Sequence, residues 1–337
     1  MSNAFTDLLA EKGTLLADGA TGTNLFNMGL MSGEPPEFWN TDEPAKIRTL
    51  YKGAVDAGSD LFLTNSFGAN ASRLKLHNAA KRAHELSRVA AEIGREIADT
   101  AGRKVIVAGS VGPTGEIMEP VGTLSHSVAV EMFHETADGL KAGGADIGWL
   151  ETISAAEEYA AAAEGFALAG LPWVGTMSFD TAGRTMMGLT SEGMVDMVEG
   201  LDNAPLAYGA NCGTGASDLL RTVLGFAGKG STRPIVAKGN AGIPKYVDGH
   251  IHYDGTPALI VVNFTPVTRH GYRIGVPSAG HWNERLNTDA PVYGGSGQGN
   301  YGGRTADPVA AHGLDHSIEI TVPPLACVVF TPSDPKT

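Results

Sequence analysis

Between residues 14 and 238 the chain carries seven short apolar runs: TLLAD (14–18), DLFLT (60–64), KVIVAG (104–109), DIGWLE (146–151), PWVGTMS (172–178), PLAYGAN (205–211) and RPIVAK (233–238). A helical pattern follows each of the first six, most clearly over 72–100 and 126–144. Continuous apolar runs alternating with amphipathic stretches predict buried parallel strands joined by crossover helices. No Gly-rich dinucleotide turn follows the first run, so equivalent βα units favour a barrel over a doubly wound sheet. After Lys238 the rhythm stops. Residues 239–257 hold Gly, Pro and Asp where a helix is due and read as a loop. From Ala258 the pattern is all β: 258–267, 271–277, 316–323 and 325–332, separated by Gly- and Pro-rich turns.

The expected architecture is therefore α/β: a (β/α)8 TIM-type barrel lacking its last βα unit (1–257), followed by a small all-β C-terminal domain (258–337). A parallel neighbour for the seventh strand would need a right-handed crossover. The run ALIVVNF (258–264) is the candidate to fill the gap by pairing with the first or seventh strand. Self-association through open strand edges, giving a homo-oligomer, is the other outlet.

Charge and composition narrow the function. The 337 residues have a net charge of −13, nearly all of it before residue 258, which argues against nucleic acid as a partner. No apolar run approaches a membrane span, and the first residues lack the basic flank and apolar core of a signal peptide, so a cytoplasmic, membrane-free protein is expected. Two cysteines, Cys212 and Cys327, exclude a disulfide scaffold and cannot alone build an all-cysteine zinc site.

In a barrel the chemistry sits at the C-terminal strand ends. Those ends carry Asp18, Thr64, Asn65, Gly109, Ser110, Glu151, Ser178, Asn211, Cys212, Lys238 and Asn240. Two carboxylates, a thiol and several amides thus converge on one rim, although Asp and Asn at strand ends also serve as turn formers and caps. A lone cysteine is usually a small buried hydrophobe. Cys212, however, follows Asn211 at a strand end and precedes Gly-Thr-Gly, a turn that exposes backbone N–H groups and suits a nucleophile or metal ligand. His250 and His252 form a weak His-x-His signal, and GQGNYG (297–302) opens no helix and reads as a loop.

The segments DGATGTNL (18–25), TNSFGAN (64–70), GSVGPTG (109–115), LETIS (150–154), GANCGTG (209–215) and AKGNAGIP (237–244), in this order, resemble the zinc-dependent homocysteine S-methyltransferases. GEPPEFWN (33–40) points to the bacterial betaine type. The resemblance implies that homocysteine's thiol binds a zinc held by three cysteines and, as thiolate, takes a methyl group to leave as methionine. By motif, Cys212 corresponds to the first zinc cysteine, Asp18 and Glu151 to positions holding the substrate's amino group, with Gly19 giving backbone approach and Asn211 completing the substrate site. Trp39 offers an aromatic face for a quaternary ammonium methyl donor, or packs a lid. The family's other two zinc cysteines are adjacent, and this chain has no Cys-Cys.

Residues 261–303 and 321–332 are similar instead to the C-terminal β-domain of 1,4-α-glucan branching enzymes, whose catalytic carboxylates lie in a barrel not present here. Cys327 falls in that region and reads as a packed thiol. Three readings follow: a homocysteine methyltransferase acting on homocysteine and a methyl donor, impaired at its zinc site; an inactive fusion product; and a glucan-associated binding module.

Overall fold

The computed structural model describes residues 3–213, 215–240, 244–247, 250–253 and 257–333, divided into two compact units, Met1–Tyr253 and Asp254–Thr337. In the first unit six strands form one parallel sheet in chain order: β1 (Leu61–Leu63), β2 (Ile106–Val111), β3 (Ile147–Ile153), β4 (Trp173–Met177), β5 (Tyr208–Cys212) and β6 (Ile235–Gly239). The first apolar run adds a seventh parallel position through a single bridge, Ala17 to Leu61. The architecture is thus α/β with a half-barrel sheet, followed by an antiparallel all-β unit.

Alternation along the strands explains how the sheet is filled. One set of positions, including Leu61, Leu63, Ile106, Ala108, Ile147, Trp149, Val174 and Ala207, forms a buried cluster closed by Phe5 and Leu8 of the helix Ala4–Lys12. That helix starts on an Asn3–Thr6 capping box. The opposite faces pack against crossover helices: Phe62 and Val107 meet Ile93 of the helix Ala83–Asp99, while Leu140, Phe166 and Trp173 share a larger cluster with helices His126–Ala142 and Ala156–Ala169.

Three local expectations need correction. The pattern over 72–100 is not one helix: Ala71–Leu74 ends in two short 3-10 turns, with Asn78 at φ +57°, before Ala83–Asp99 begins. The stretch after Lys238 contains a hairpin of β7 (Pro244–Val247) and β8 (His250–Tyr253), so His250 and His252 lie on a strand; the rest of that stretch up to residue 256 lies mostly outside the described residues. Finally, β9 (Leu259–Asn263) is an edge strand of the second unit's sheet and not the expected substitute strand of the first. It pairs antiparallel to β14 (Ala326–Pro332), within the second unit. Leu259 and Val261 pack on that unit's core while Ile260 and Val262 are exposed, the alternation of a one-sided strand and not of a buried barrel strand.

The second unit consists of a sheet in the order β12 (Gly303–Thr305), β11 (His281–Asn287), β14, β9, and a pair of β10 (Arg269–Val276) with β13 (His316–Val322). Val276, Trp282, Ile318, Ile320, Val328 and Phe330 form its core.

Candidate functional site

The inward rows of the parallel sheet change character at their C-terminal ends. Ile106 and Ala108 lead to Ser110, Ile147 and Trp149 to Glu151, Val174 to Thr176, Ala207 and Gly209 to Asn211, and Val236 to Lys238. The apolar layers that fill the barrel give way to one polar layer, and Asp18 joins it from the first strand position. Successive strands therefore deliver one polar side chain each to a common rim, as a barrel's active face requires.

The layer is knit together in two halves. In the first, Ser110 Oγ donates to Glu151 Oε1 at 2.6 Å, and the Leu63 N–H donates to Asp18 Oδ2 at 3.1 Å. Asp18 Oδ1 is buried without a hydrogen-bond partner among the described residues. Lys238 Nζ stands 4.0 Å from that oxygen and 3.9 Å from Glu151 Oε2, ion-pair distances too long for hydrogen bonds. The side chains of Asp18, Glu151 and Lys238 are 8%, 12% and 21% exposed, so the cluster is sheltered yet open on one side. Burial pushes the Asp18 carboxyl up to about 6; Lys238 and the Leu63 N–H work against the shift and Glu151 adds to it.

In the second half, Asn211 is the hub. Its Oδ1 accepts from the Thr152 N–H at 2.9 Å and Thr176 Oγ1 at 2.8 Å, while its Nδ2 donates to Thr152 Oγ1 at 2.7 Å and to Cys212 Sγ at 3.2 Å. Thr152 Oγ1 is 3.9 Å from the same sulfur. Thr152 and Cys212 both hold left-handed backbone, at φ +65° and +57°, where a side-chain-bearing residue pays a steric cost of about 1–3 kcal/mol. Two such residues facing one another across β3 and β5 mark a place where the fold aims side chains at some expense.

Sequence reasoning brought Asp18, Glu151, Asn211 and Cys212 to this rim, and each stands there. At Gly19 an added Cβ would meet nothing within 4 Å, so packing does not demand glycine at that position. Trp39 is buried in a cluster with Ile47 and Tyr51, and Lys46 Nζ covers its ring at 4.1 Å. Two residues were missed in their roles. Thr152 carries no signature, because its importance is a backbone angle. Lys238 was one strand end among many, and only folding shows that it reaches both carboxylates.

The site's donor set does not fit a three-thiolate zinc centre. Around Cys212 Sγ stand an amide and a hydroxyl. Among the described residues no group of three His, Cys, Asp or Glu side chains gathers to hold a metal ion. Cys327 belongs to the second unit, where burial raises its thiol pKa.

Comparison with known proteins gives two matches on the one chain. The family profile of homocysteine S-methyltransferase covers residues 15–275, and that of the α-amylase C-terminal all-beta domain covers 245–333. The metallated homocysteine methyltransferase MmuM from Escherichia coli superimposes with a TM-score of 0.63 and 22% identity, covering 71% of this chain and 88% of its own. The curated relatives match elsewhere. The 1,4-alpha-glucan branching enzyme GlgB of Pseudomonas fluorescens is 54% identical over 79 residues, 23% of this chain and 11% of the enzyme. That of Cupriavidus pinatubonensis is 60% identical over 76 residues, 23% of this chain and 10% of the enzyme. The chain therefore spans about a tenth of the length of these relatives.

Proposed function

Because the chain belongs to the homocysteine S-methyltransferase family, we propose that its parallel-sheet unit binds homocysteine at the polar rim, and that methyl transfer to the thiol is impaired. The observation that carries this reading is the unpartnered, buried Asp18 Oδ1 beside Glu151. A pair of carboxylates with a vacant acceptor suits a substrate ammonium, and the Asn211–Cys212 half of the rim suits its sulfur end. Methyl transfer needs the homocysteine thiol as thiolate. Its unperturbed pKa resembles that of cysteine, about 8.5, so only a few per cent is ionised at neutral pH. Zinc supplies the missing acidity in this family, and here one of its three cysteines, Cys212, is matched. Thr152 Oγ1 can donate a hydrogen bond to an anionic sulfur, a weaker form of stabilisation, while both Asn211 Nδ2 hydrogens are already given to Thr152 Oγ1 and Cys212 Sγ. A betaine-like donor stacked on Trp39 would have to displace Lys46.

The test pairs binding with turnover. Calorimetric titration should show homocysteine binding, while methionine formation with betaine should be slow and unaffected by added zinc. Absence of homocysteine binding would sink the reading, and zinc-stimulated turnover would overturn the impairment. A second expected outcome concerns Gly19. With open space around its Cβ position, Gly19→Ala should leave the melting temperature within about 1–2 °C of the parent, since nothing is displaced. It should nonetheless weaken homocysteine binding if the open space receives ligand. Unchanged affinity in that variant would remove Gly19 from the site. The likeness of the second unit to a small part of branching enzymes is no basis for assigning it glucan chemistry.

A further inference from the structure

We propose that Lys238 makes the site selective for zwitterionic α-amino acids, by holding the Asp18–Glu151 pair in the free protein and turning to the ligand's carboxylate when the ligand's ammonium takes that pair. The proposal rests on the reading that the rim binds an amino-acid thiol, and it adds the group that recognises the other end of the ligand's backbone.

The geometry carries it in three steps. First, Lys238 sits at ion-pair distance from both carboxylates, 4.0 Å and 3.9 Å, but hydrogen-bonds to neither. It compensates charge without satisfying Asp18 Oδ1, which remains a buried acceptor lacking a partner. Secondly, a ligand ammonium that hydrogen-bonds to that oxygen and to Glu151 would lie within a few ångströms of Lys238 Nζ. Two cations so close in a sheltered site repel, and the lysine's flexible four-carbon stem lets it withdraw. Thirdly, Lys238 makes no hydrogen bond to either carboxylate, and a ligand that brings only an ammonium pushes it aside without offering it one. A ligand that also brings an anion next to its ammonium gives Lys238 a charge-assisted hydrogen bond in place of the long ion pairs. Lys238 is anchored for this role by the β5–β6 register, which sets it opposite Asn211, the hub of the sulfur end.

The experiment compares homocysteine with 3-aminopropane-1-thiol, which is homocysteine without its carboxylate, by calorimetric titration of the full chain. Cysteine and methionine, with their matching amines, serve as further zwitterion–amine pairs. The parent should prefer each zwitterion it binds by about tenfold or more, the size of a charge-assisted contact. In Lys238→Met this preference should shrink to less than about threefold, and Lys238→Arg should restore most of it. Melting curves confirm that the variants are folded, and the ratio of two ligands on one variant cancels any loss of active protein.

An unchanged ratio in Lys238→Met, with homocysteine still bound, overturns the role of Lys238 and leaves the homocysteine reading standing. Binding of another zwitterion but not homocysteine, with the ratio lost in Lys238→Met, overturns the homocysteine reading and upholds Lys238. Failure of the parent to bind any zwitterion overturns both.

Discussion

Asp18→Asn is expected to melt higher than the parent at pH 7 while binding homocysteine about 30- to 1,000-fold more weakly. The two effects have one cause. Asp18 is buried with one oxygen unpartnered, and its pKa rises from 3.8 to about 6 in the folded state. A carboxyl whose folded pKa exceeds its unfolded one binds more protons when folded across that interval. Its ionisation therefore costs stability as pH rises from about 4 to about 6, and the full cost persists above. At pH 7 the cost is on the order of 1–3 kcal/mol. Asn avoids it and can still accept from the Leu63 N–H. The gain in melting temperature should shrink from pH 6 down to about pH 4 and vanish below about pH 3, where the parent's carboxyl is neutral in both states. For the ligand the sign reverses, because an ammonium needs the carboxylate. Removing one member of a sheltered charge pair costs about 2–4 kcal/mol of binding, which is the fold-loss expected. The parent should itself bind about tenfold more weakly at pH 5 than on its plateau, since little of Asp18 is ionised there. Equal affinities of parent and variant, or a melting difference independent of pH, would show that Asp18 is a structural carboxylate.

This coupling of instability to function separates what the chain pattern reveals from what it conceals. Buried parallel strands are apolar throughout, so the segments around 61, 106, 147, 173, 208 and 235 could be read directly, and their polar ends pointed to the rim. The same logic misled at 258–264. ALIVVNF is as apolar as a barrel strand, but its alternate residues Ile260 and Val262 face outward from an antiparallel sheet, and composition does not distinguish the two situations. The reverse occurs in β11, whose HWNERLN is too polar to announce a strand. Trp282 alone is fully buried there, and the strand persists because β12 and β14 pair on both sides. At the site, residue types were legible and relations were not. Asp18, Glu151 and Lys238 lie far apart along the chain, and their convergence depends on the curl of the sheet. The left-handed turns at Thr152 and Cys212 are tertiary strain, which leaves no mark in side-chain chemistry.

Gly209→Ala is expected to cost about 3 kcal/mol of stability and to abolish ligand binding, although Gly209 carries no group that could touch a ligand. A Cβ at this position would lie 2.0 Å from the carbonyl oxygen of Val236 on β6, and 2.7 Å from its carbonyl carbon and amide nitrogen. Those are backbone atoms of the neighbouring strand, so no rotamer change relieves the clash and the β5–β6 pairing must open or shift. That pairing sets Asn211 opposite Lys238 and Cys212 opposite Gly239. The hub of the sulfur end and the cation of the ammonium end are both referenced to it. A displacement of one strand by an ångström would take Lys238 away from Asp18 and Glu151, and an ion pair already at 4 Å has no margin. Gly22→Ala gives the contrast. Gly22 lies in the helix Thr21–Asn27 with nothing within 4 Å of a new Cβ, so alanine should stabilise by about 0.5–1 kcal/mol through helix propensity. Denaturant titration of the two variants, followed by homocysteine titration below the transition, separates the outcomes. If Gly209→Ala unfolds at the parent's midpoint and binds normally, the close approach of β5 to β6 does not position the site.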